Sequence, residues 1–320
     1  MSERAFEEAR DSGLVVAGEP LLVMLSGGGD SVCLLDVALR LGARVTALHV
    51  NYGLREGAES DEALCRALCE RLGVPLAAER VALPAQGNLQ EQAREARYTL
   101  AERRAEGDYA AAHTATDQAE TVLYRLAVSP GSRALLGMAP RRGRLVRPLL
   151  GATREEVRSY LRARGLEWRE DPSNSDRRFS RARVRHDVLE ALRELNPAAE
   201  RNIAETARQL REESEVVEEG AREALEALGG GPGVPVEELR SQPPAVRRLV
   251  LRRLAELATG GARALSRREA DELLRLGESG GTRTLDLGDG LRAVSEYGTL
   301  RFSVAQEEAA PPEPVGLPVP

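Results

Sequence analysis

The sequence predicts an α/β fold: a parallel sheet with flanking helices, then a helical linker and a small α+β domain toward the C-terminal end. Three observations predict it. Over roughly the first 200 residues, short apolar runs alternate with helical patterns, as βαβ units around a parallel sheet require. A long amphipathic pattern then runs to Gly229-Gly230-Gly231-Pro232. Beyond it, two helical patterns give way to short strand patterns and an acidic, Pro-rich end. The 320 residues amount to about two domains of ordinary size. The boundaries expected are 1–195 for the first domain, 196–233 for the linker, 234–306 for the small domain and 307–320 for a disordered tail.

The elements follow in order. Residues 21–25 are a continuous apolar run, hence a buried strand, closed by a Gly-rich turn. Leu34, Leu35, Ala38 and Leu39 then recur at helical spacing. A second strand covers 45–50, and 61–72 is a helix with Leu64, Leu68 and Leu72 on one face. The third strand spans 76–83. Asn88 suits the N-cap of a helix reaching Arg104. A fourth strand at 109–113 precedes a helix at 116–126, and 144–150 reads as a further strand. The long helix covers 197–228, with Ile203, Ala207 and Leu210 on its apolar stripe, and three glycines and a proline stop it. Helices at 245–257 and 266–276 lead to strands at 284–287 and 299–304.

Composition narrows the function. The chain is 42% hydrophobic and 30% charged, which suits a soluble protein with a sizeable core. No apolar run approaches the ~18 residues of a membrane span. The acidic N-terminus is unlike a signal peptide, so a cytoplasmic protein is expected. Cys33, Cys65 and Cys69 are odd in number and contain no CxxC, which disfavours a disulfide framework or zinc ribbon. All 45 basic residues are arginine, so a Walker A lysine, a Schiff-base lysine and pyridoxal-phosphate chemistry are excluded. The net charge of −6 hides a segment, 133–185, with fifteen arginines against six acids. That segment fits a localised polyanion site, or else a run of solvated helix faces.

The sharpest signal is Ser26-Gly27-Gly28-Gly29-Asp30-Ser31 between a buried strand and a helix. Glycines there let backbone N–H groups approach a polyanion, and the helix N-terminus adds donors and a favourable dipole. Ser26 and Ser31 offer hydroxyls, and Asp30 a hard oxygen ligand for Mg²⁺. The hexapeptide resembles the SGGxDS signature of the N-type ATP pyrophosphatases, the PP-loop enzymes. That resemblance implies a PP-loop catalytic domain in which these six residues bind the β- and γ-phosphates of ATP. A substrate is adenylated by attack at the α-phosphate, and pyrophosphate leaves.

Further motifs select within the superfamily. They are His49-Val50-Asn51-Tyr52-Gly53-Leu54-Arg55, the stretch from Glu91 to Tyr98, the stretch from His113 to Thr121, and Leu136-Gly137-Met138. After these come Arg147-Pro148-Leu149-Leu150, Asp171-Pro172-Ser173-Asn174 and Arg181-Ala182-Arg183-Val184-Arg185. In this order the set resembles the tRNA(Ile)-lysidine synthetase family in its short form, over 20–195 and more weakly over 236–303. The resemblance implies a ligase acting on a tRNA(Ile) with a CAU anticodon. ATP adenylates the C2 oxygen of the wobble cytidine, then free L-lysine displaces AMP, so that decoding changes from AUG to AUA. It also implies Mg²⁺, a homodimer and tRNA binding by the small C-terminal domain.

Residue roles follow, each beside its ordinary alternative. Asp30 and Asp117 are the Mg²⁺ candidates, although Asp117 also suits a helix N-terminal acid. Glu120, one turn later, is placed to hold the lysine ammonium, or a surface salt bridge. Arg94 and Arg97 lie one turn apart and suit charge stabilisation at the α-phosphate. His49, Asn51 and Arg55 border the nucleotide pocket, unless they make only strand-end hydrogen bonds, and His113 is a further candidate for ATP binding. Arg133, Arg141, Arg142, Arg144, Arg177, Arg178, Arg181, Arg183 and Arg185 are the proposed tRNA contacts. Cys33 and Trp168 are expected in the core. Where the family commonly reads His-His-x-Asp-Asp-Gln, this chain has His113-Thr114-Ala115-Thr116-Asp117-Gln118, and neither threonine is given a role. The rival readings are a tRNA thiolase, which usually needs paired cysteines, and a non-catalytic tRNA or nucleotide binder.

Overall fold

The computed structural model describes residues 3–53, 58–84, 86–129, 131–170, 180–261, 263, 265–276 and 281–304, with the side chains of Ala58 and Arg181 outside that description. The division between its two compact units falls between Arg211 and Glu212.

The first unit opens with α1 (Arg4–Asp11), β1 (Pro20–Met24), α2 (Gly29–Arg40), β2 (Arg44–Asn51), α3 (Ala58–Leu72) and β3 (Leu76–Arg80). It continues with α4 (Leu89–Arg104), β4 (Asp108–Ala110), α5 (Ala115–Val128), β5 (Arg141–Arg142), β6 (Leu145–Val146) and α6 (Arg154–Arg164). A last helical stretch runs from α7 (Ser180–Arg183) through a π-helical turn (Val184–Leu189) into α8 (Glu190–Leu195). The sheet order is β3-β2-β1-β4-β6-β5. Every pairing is parallel except the short β5–β6 edge. The chain leaves β1 for β2 and β3 on one side and returns to β4 on the other. The crevice beyond the ends of β1 and β4 is therefore the topological switch point, where open α/β sheets bind ligands.

Alternation along β1 explains the layering. Leu21, Val23 and Leu25 join one core with Val32, Leu34, Leu35, Val157 and Leu161 of α2 and α6. Leu22 and Met24 face the opposite core with Leu48, Ala101, Tyr109 and Leu145. Successive strand residues point to opposite faces, so a parallel strand covered on both sides must be apolar throughout. Each fully buried leucine contributes roughly 1.5–3 kcal/mol.

The expected α/β class is observed, with differences at some elements. The strand expected at 144–150 is only the two residues of β6, because Pro148 has no N–H to continue the ladder. Leu149 and Ala152, both fully buried, enter the core from turns instead. α1, α6 and β5 were not anticipated. α6 starts at a capping box in which Thr153 and Glu156 satisfy each other's backbone, and it ends at Gly165 with φ +61°. Asn88 caps α4 as expected, its side chain accepting from the N–H groups of Gln90 and Glu91.

The helix α9 (Ala199–Ala227) contains the division between the units. Within the second unit follow β7 (Gly233–Pro235), α10 (Val236–Ser241), α11 (Pro244–Thr259), α12 (Arg267–Leu276), β8 (Arg283–Asp286), β9 (Leu291–Glu296) and β10 (Thr299–Val304). Its antiparallel sheet, ordered β7-β10-β9-β8, packs Leu291, Ala293, Leu300 and Phe302 against Leu251, Leu254 and Leu273. Among the described residues no helix is long and apolar enough to cross a membrane.

Candidate active site

The phosphate-loop sequence forms the turn from β1 into α2. Gly27 has φ +85°, and a Cβ there would meet Cys65 Sγ at 3.4 Å. At Gly29 a Cβ would press on Trp168 Cδ1 at 3.2 Å. Ser31 Oγ donates to the Gly28 carbonyl at 2.8 Å and accepts from the Ser26 N–H at 3.1 Å. Its single proton is thus spent, so Ser26 is the donor of the 3.1 Å bond between the two hydroxyls. Ser26 Oγ also accepts from the Gly28 N–H at 3.3 Å. Both serines therefore brace the loop. The N–H groups of Gly29, Asp30 and Ser31 lie in the first turn of α2, where no intrahelical acceptor exists. They form an anion-ready helix N-terminus at the switch point.

Beside it three carboxylates converge on one guanidinium. Arg154, the first residue of α6, has Nε 3.6 Å from Asp30 Oδ2, Nη2 3.0 Å from Asp117 Oδ1 and Nη1 3.8 Å from Glu120 Oε1. Arg185, in the π-helical turn, grips Glu120 with a two-pronged bond, Nε to Oε1 at 2.5 Å and Nη2 to Oε2 at 3.0 Å. The other oxygen of Asp117, Oδ2, accepts from both the N–H and the Oγ1 of Thr114 at 2.9 Å. Asp117 is therefore a helix-capping acid and a cluster member at once. Burial pushes the Asp30 carboxyl up to about 6, with Arg154 opposing and the Asp117 charge adding to the rise. Burial acts on Asp117 in the same direction, but Arg154, His113 and the Thr114 bonds favour the charged form more strongly and hold it below the usual carboxylate range.

Thr116, buried, donates from Oγ1 to Glu200 Oε2 at 2.5 Å and accepts from the Arg154 N–H at 3.0 Å. Glu200 is also paired with Arg193. This chain of contacts ties the start of α6 to α5. Gln118, on the same turn, spends its whole amide on Met138. Its Nε2 donates to the Met138 carbonyl at 3.1 Å, and its Oε1 accepts from the Met138 N–H at 2.7 Å. Gly137 is required there, since a Cβ would fall 2.6 Å from the Gln118 amide.

The opposite side of the crevice is cationic. Arg147 Nε donates to His113 Nδ1 at 3.3 Å, and its Nη1 donates to the Ala139 carbonyl at 2.6 Å. Burial holds the His113 imidazole down at about 4; Asp117 opposes this, while Arg147, Arg94 and Arg97 reinforce it. Arg94 and Arg97 lie over the Tyr98 ring at 5.1 and 5.9 Å. Arg97 Nε is buried with no hydrogen-bond partner among the described residues. His49 Nδ1 is 2.9 Å from the Leu25 carbonyl and 3.4 Å from Cys65 Sγ. Asn51 is engaged at both ends, donating to Glu62 Oε2 at 3.1 Å and accepting from the Gly53 N–H at 2.9 Å. Arg55 lies outside the described residues.

The arginines expected at RNA divide three ways. Arg133, Arg142 and Arg183 are exposed. Arg141 forks onto Asp108 at 2.9 and 2.7 Å, and Arg144 donates to the carbonyls of Gly107, Glu102 and Ala105. Arg185 is spent on Glu120. Arg177 and Arg178 lie outside the described residues, as does the side chain of Arg181. The three cysteines are free and buried, with Cys33 in the core as expected, and Trp168 is partly buried against the same core. Burial lifts the Cys65 thiol to about 12 and the Cys69 thiol to about 11, so neither is a thiolate near neutral pH.

Sequence reasoning did not find Arg154 or Glu200, and it noted Arg147 only as part of a motif, without a role. One signal for Arg154 was present: a cation in the first turn of a helix opposes the macrodipole, so carboxylates must compensate it. Nothing in the spacing pointed to Glu200, which meets Thr116 only through tertiary packing.

Comparison with known proteins matches residues 2–192 to the PP-loop domain family. The tRNA(Ile)-lysidine synthase of Thermus thermophilus is 41% identical over 88% of this chain and 56% of its own length. Those of Leifsonia xyli subsp. xyli and Thermobifida fusca are each 38% identical, covering 89% and 81% of this chain and 90% and 84% of themselves. The chain thus spans just over half of the Thermus relative and most of the other two. Among solved structures, the U34-tRNA thiolase NcsA from Methanococcus maripaludis superposes with a TM-score of 0.56 at 16% identity, covering 66% of this chain and 78% of that one. That likeness is one of fold.

Proposed function

The chain belongs to the tRNA(Ile)-lysidine synthase family of PP-loop proteins, and from that membership we propose that it attaches lysine to C2 of the wobble cytidine of a CAU-anticodon tRNA(Ile) at the expense of ATP. The observation that carries this reading is the division of one crevice into an anion-binding side and a cation-binding side. The N–H groups of Gly29, Asp30 and Ser31 suit the β- and γ-phosphates. Arg97, with its unpartnered Nε, and Arg94 suit the α-phosphate. In the first step the cytidine C2 oxygen attacks the α-phosphorus, the bond to the β-phosphate oxygen breaks, and pyrophosphate leaves.

The second nucleophile is an alkylamine that arrives as an ammonium, and the buried Glu120 carboxylate is the group that suits it. Arg185 grips that carboxylate with two nitrogens, so an ammonium that reaches it shares the carboxylate with a guanidinium. Once the ammonium has passed a proton to the adjacent Glu120 carboxylate, the free amine forms the bond to C2 as the bond from C2 to the AMP oxygen breaks. Asp30 and Asp117 would hold Mg²⁺: both are hard oxygen donors, and both face the same cationic guanidinium. When bound, the ion would neutralise phosphate charge. Among the described residues no three His, Cys, Asp or Glu side chains group as a metal centre, so the remaining ligands would be phosphate oxygens and water. The exposed Arg133, Arg142 and Arg183 suit the RNA backbone, together with Arg177, Arg178 and Arg181. The buried thiols favour this reading over sulfur transfer.

The test is incorporation of labelled lysine into unmodified CAU-anticodon tRNA(Ile) with ATP and Mg²⁺, with initiator tRNA(Met) as the control. Incorporation into the first alone is expected. Pyrophosphate release without lysine transfer would overturn the identity of the second nucleophile, and no ATP turnover would overturn the enzyme reading altogether.

A further inference from the structure

The cationic side of the crevice contains a buried arginine that the assignments above leave without a task. Arg147 is 6% exposed, and among the described residues no carboxylate pairs with it, whereas Arg154 and Arg185 share three. Its place is fixed at the backbone by its N–H to the Pro140 carbonyl at 2.9 Å and at the side chain by Nη1 to the Ala139 carbonyl at 2.6 Å. The Tyr98 side chain is a further neighbour that favours its charge. A desolvated guanidinium with no counter-charge is expensive to keep. Its Nε–H is directed at His113 Nδ1.

We propose that Arg147 is a positioning residue that fixes His113 as the neutral Nε2–H tautomer, so that His113 donates a hydrogen bond to a phosphate oxygen of the nucleotide and does not act as a base. A guanidinium Nε–H only donates, so Nδ1 must present a lone pair. A neutral imidazole has one proton, and it therefore resides on Nε2. The inference rests on the nucleotide-binding reading given above, because the acceptor it names is that nucleotide's phosphate.

The surroundings agree from every side. Arg94 and Arg97 of α4 and Arg147 beyond β6 all oppose an imidazolium, and Asp117 of α5 is the charge that favours it. The net result is an imidazole that stays neutral well below neutral pH. β4 pairs directly with β1, so the residue just past β4 and the phosphate loop just past β1 share one sheet edge. The second histidine makes a useful contrast. A carbonyl oxygen only accepts, so His49 Nδ1, 2.9 Å from the Leu25 carbonyl, carries a proton and donates it. The histidines at the ends of β2 and β4 thus differ at Nδ1: His49 donates from it and His113 accepts at it.

The experiment is two-bond ¹H–¹⁵N spectroscopy of ¹⁵N-histidine-labelled full-length protein, tractable because the chain has only 3 histidines. His113 is identified by its loss in His113→Gln. The expected spectrum shows an unprotonated Nδ1 and a protonated Nε2 for His113, constant from about pH 5.5 to about pH 8.5. AMP, which carries only the α-phosphate, is expected to move the Nε2–H resonance downfield. Arg147→Met, which keeps the apolar stem but loses every N–H donor, is expected to admit the Nδ1–H tautomer. It should slow pyrophosphate release about tenfold or more while leaving the KM for ATP within about twofold. A protonated Nδ1 in the wild-type protein overturns the proposal without recourse to any variant, as does a His113 that is unmoved by AMP. An unchanged tautomer in Arg147→Met overturns the role of Arg147. Failure of lysine incorporation with the expected tautomer would instead sink the functional reading and leave the Arg147–His113 geometry standing.

Discussion

Arg154 donates to Asp117 across 3.0 Å while its two other nitrogens face Asp30 and Glu120. One guanidinium thus answers for carboxylates from two different helices, and it is the first residue of a third. Partly buried like charges repel strongly in a low-dielectric site, so the cluster requires a resident cation whenever substrate cations are absent.

Arg154→Gln is therefore expected to destabilise the protein by about 1–3 kcal/mol, by leaving carboxylates short of a partner. Millimolar Mg²⁺ should recover part of that loss and raise the variant's Tm more than the wild-type Tm. Calorimetry with and without the ion checks this; an equal response of the two proteins would remove Arg154 from competition with a metal.

Asp30→Asn should lower pyrophosphate release about a hundredfold while leaving the Kd for tRNA within about twofold. Single-turnover assays and filter binding separate the two quantities. A parallel loss of tRNA affinity would show that Asp30 serves the RNA and not the phosphates.

Glu120→Gln removes the charge that Arg185 grips, and it should raise the KM for lysine about tenfold or more. The KM for ATP should change little. Initial rates over a lysine series check this, and an unchanged KM for lysine would take Glu120 out of that pocket.

The pH dependence of stability has two opposing parts in one window. Asp30 sits above its usual range, so the folded state binds its proton more readily than the unfolded chain. Its contribution falls as pH rises from about 4 to about 6. His113 is held down, so the unfolded chain protonates first, and its contribution is lost as pH falls from about 6.5 to about 4. Relative to wild type in chelated buffer, Asp30→Asn should gain a few kcal/mol between pH 4 and 6, and His113→Gln should lose a few. Urea titrations at several pH values provide the check.

Where local signals sufficed, the sequence was readable. The apolar run of β1, the glycines after it and the helical spacing of Leu34 and Leu35 together revealed the loop and its helix. Asn88 was legible because a cap is a contact across only two or three residues. α6 was not, although Thr153, Glu156 and Gly165 mark its ends. Its apolar face is only Val157, Tyr160 and Leu161, and the polar residues between them swamp the periodicity. β9 was missed for a related reason, since its inward residues are Leu291, Ala293 and the buried Ser295. The carboxylates were legible as acids near strand ends. That Arg154 and Arg185 would hold them was not, because α2, α5, α6 and the π-helical turn meet only when the sheet assembles.

Gln118 gives the first turn of α5 a mechanical meaning. The first two turns of α5 hold guanidiniums through Asp117 and Glu120 and the Met138 backbone through the Gln118 amide. One helix carries both loads, so a displacement of the Met138 loop that shifts the helix shifts the carboxylates with it. Damage at Gly137 would thus be felt as faulty chemistry several residues away, with substrate affinity and turnover shifting together.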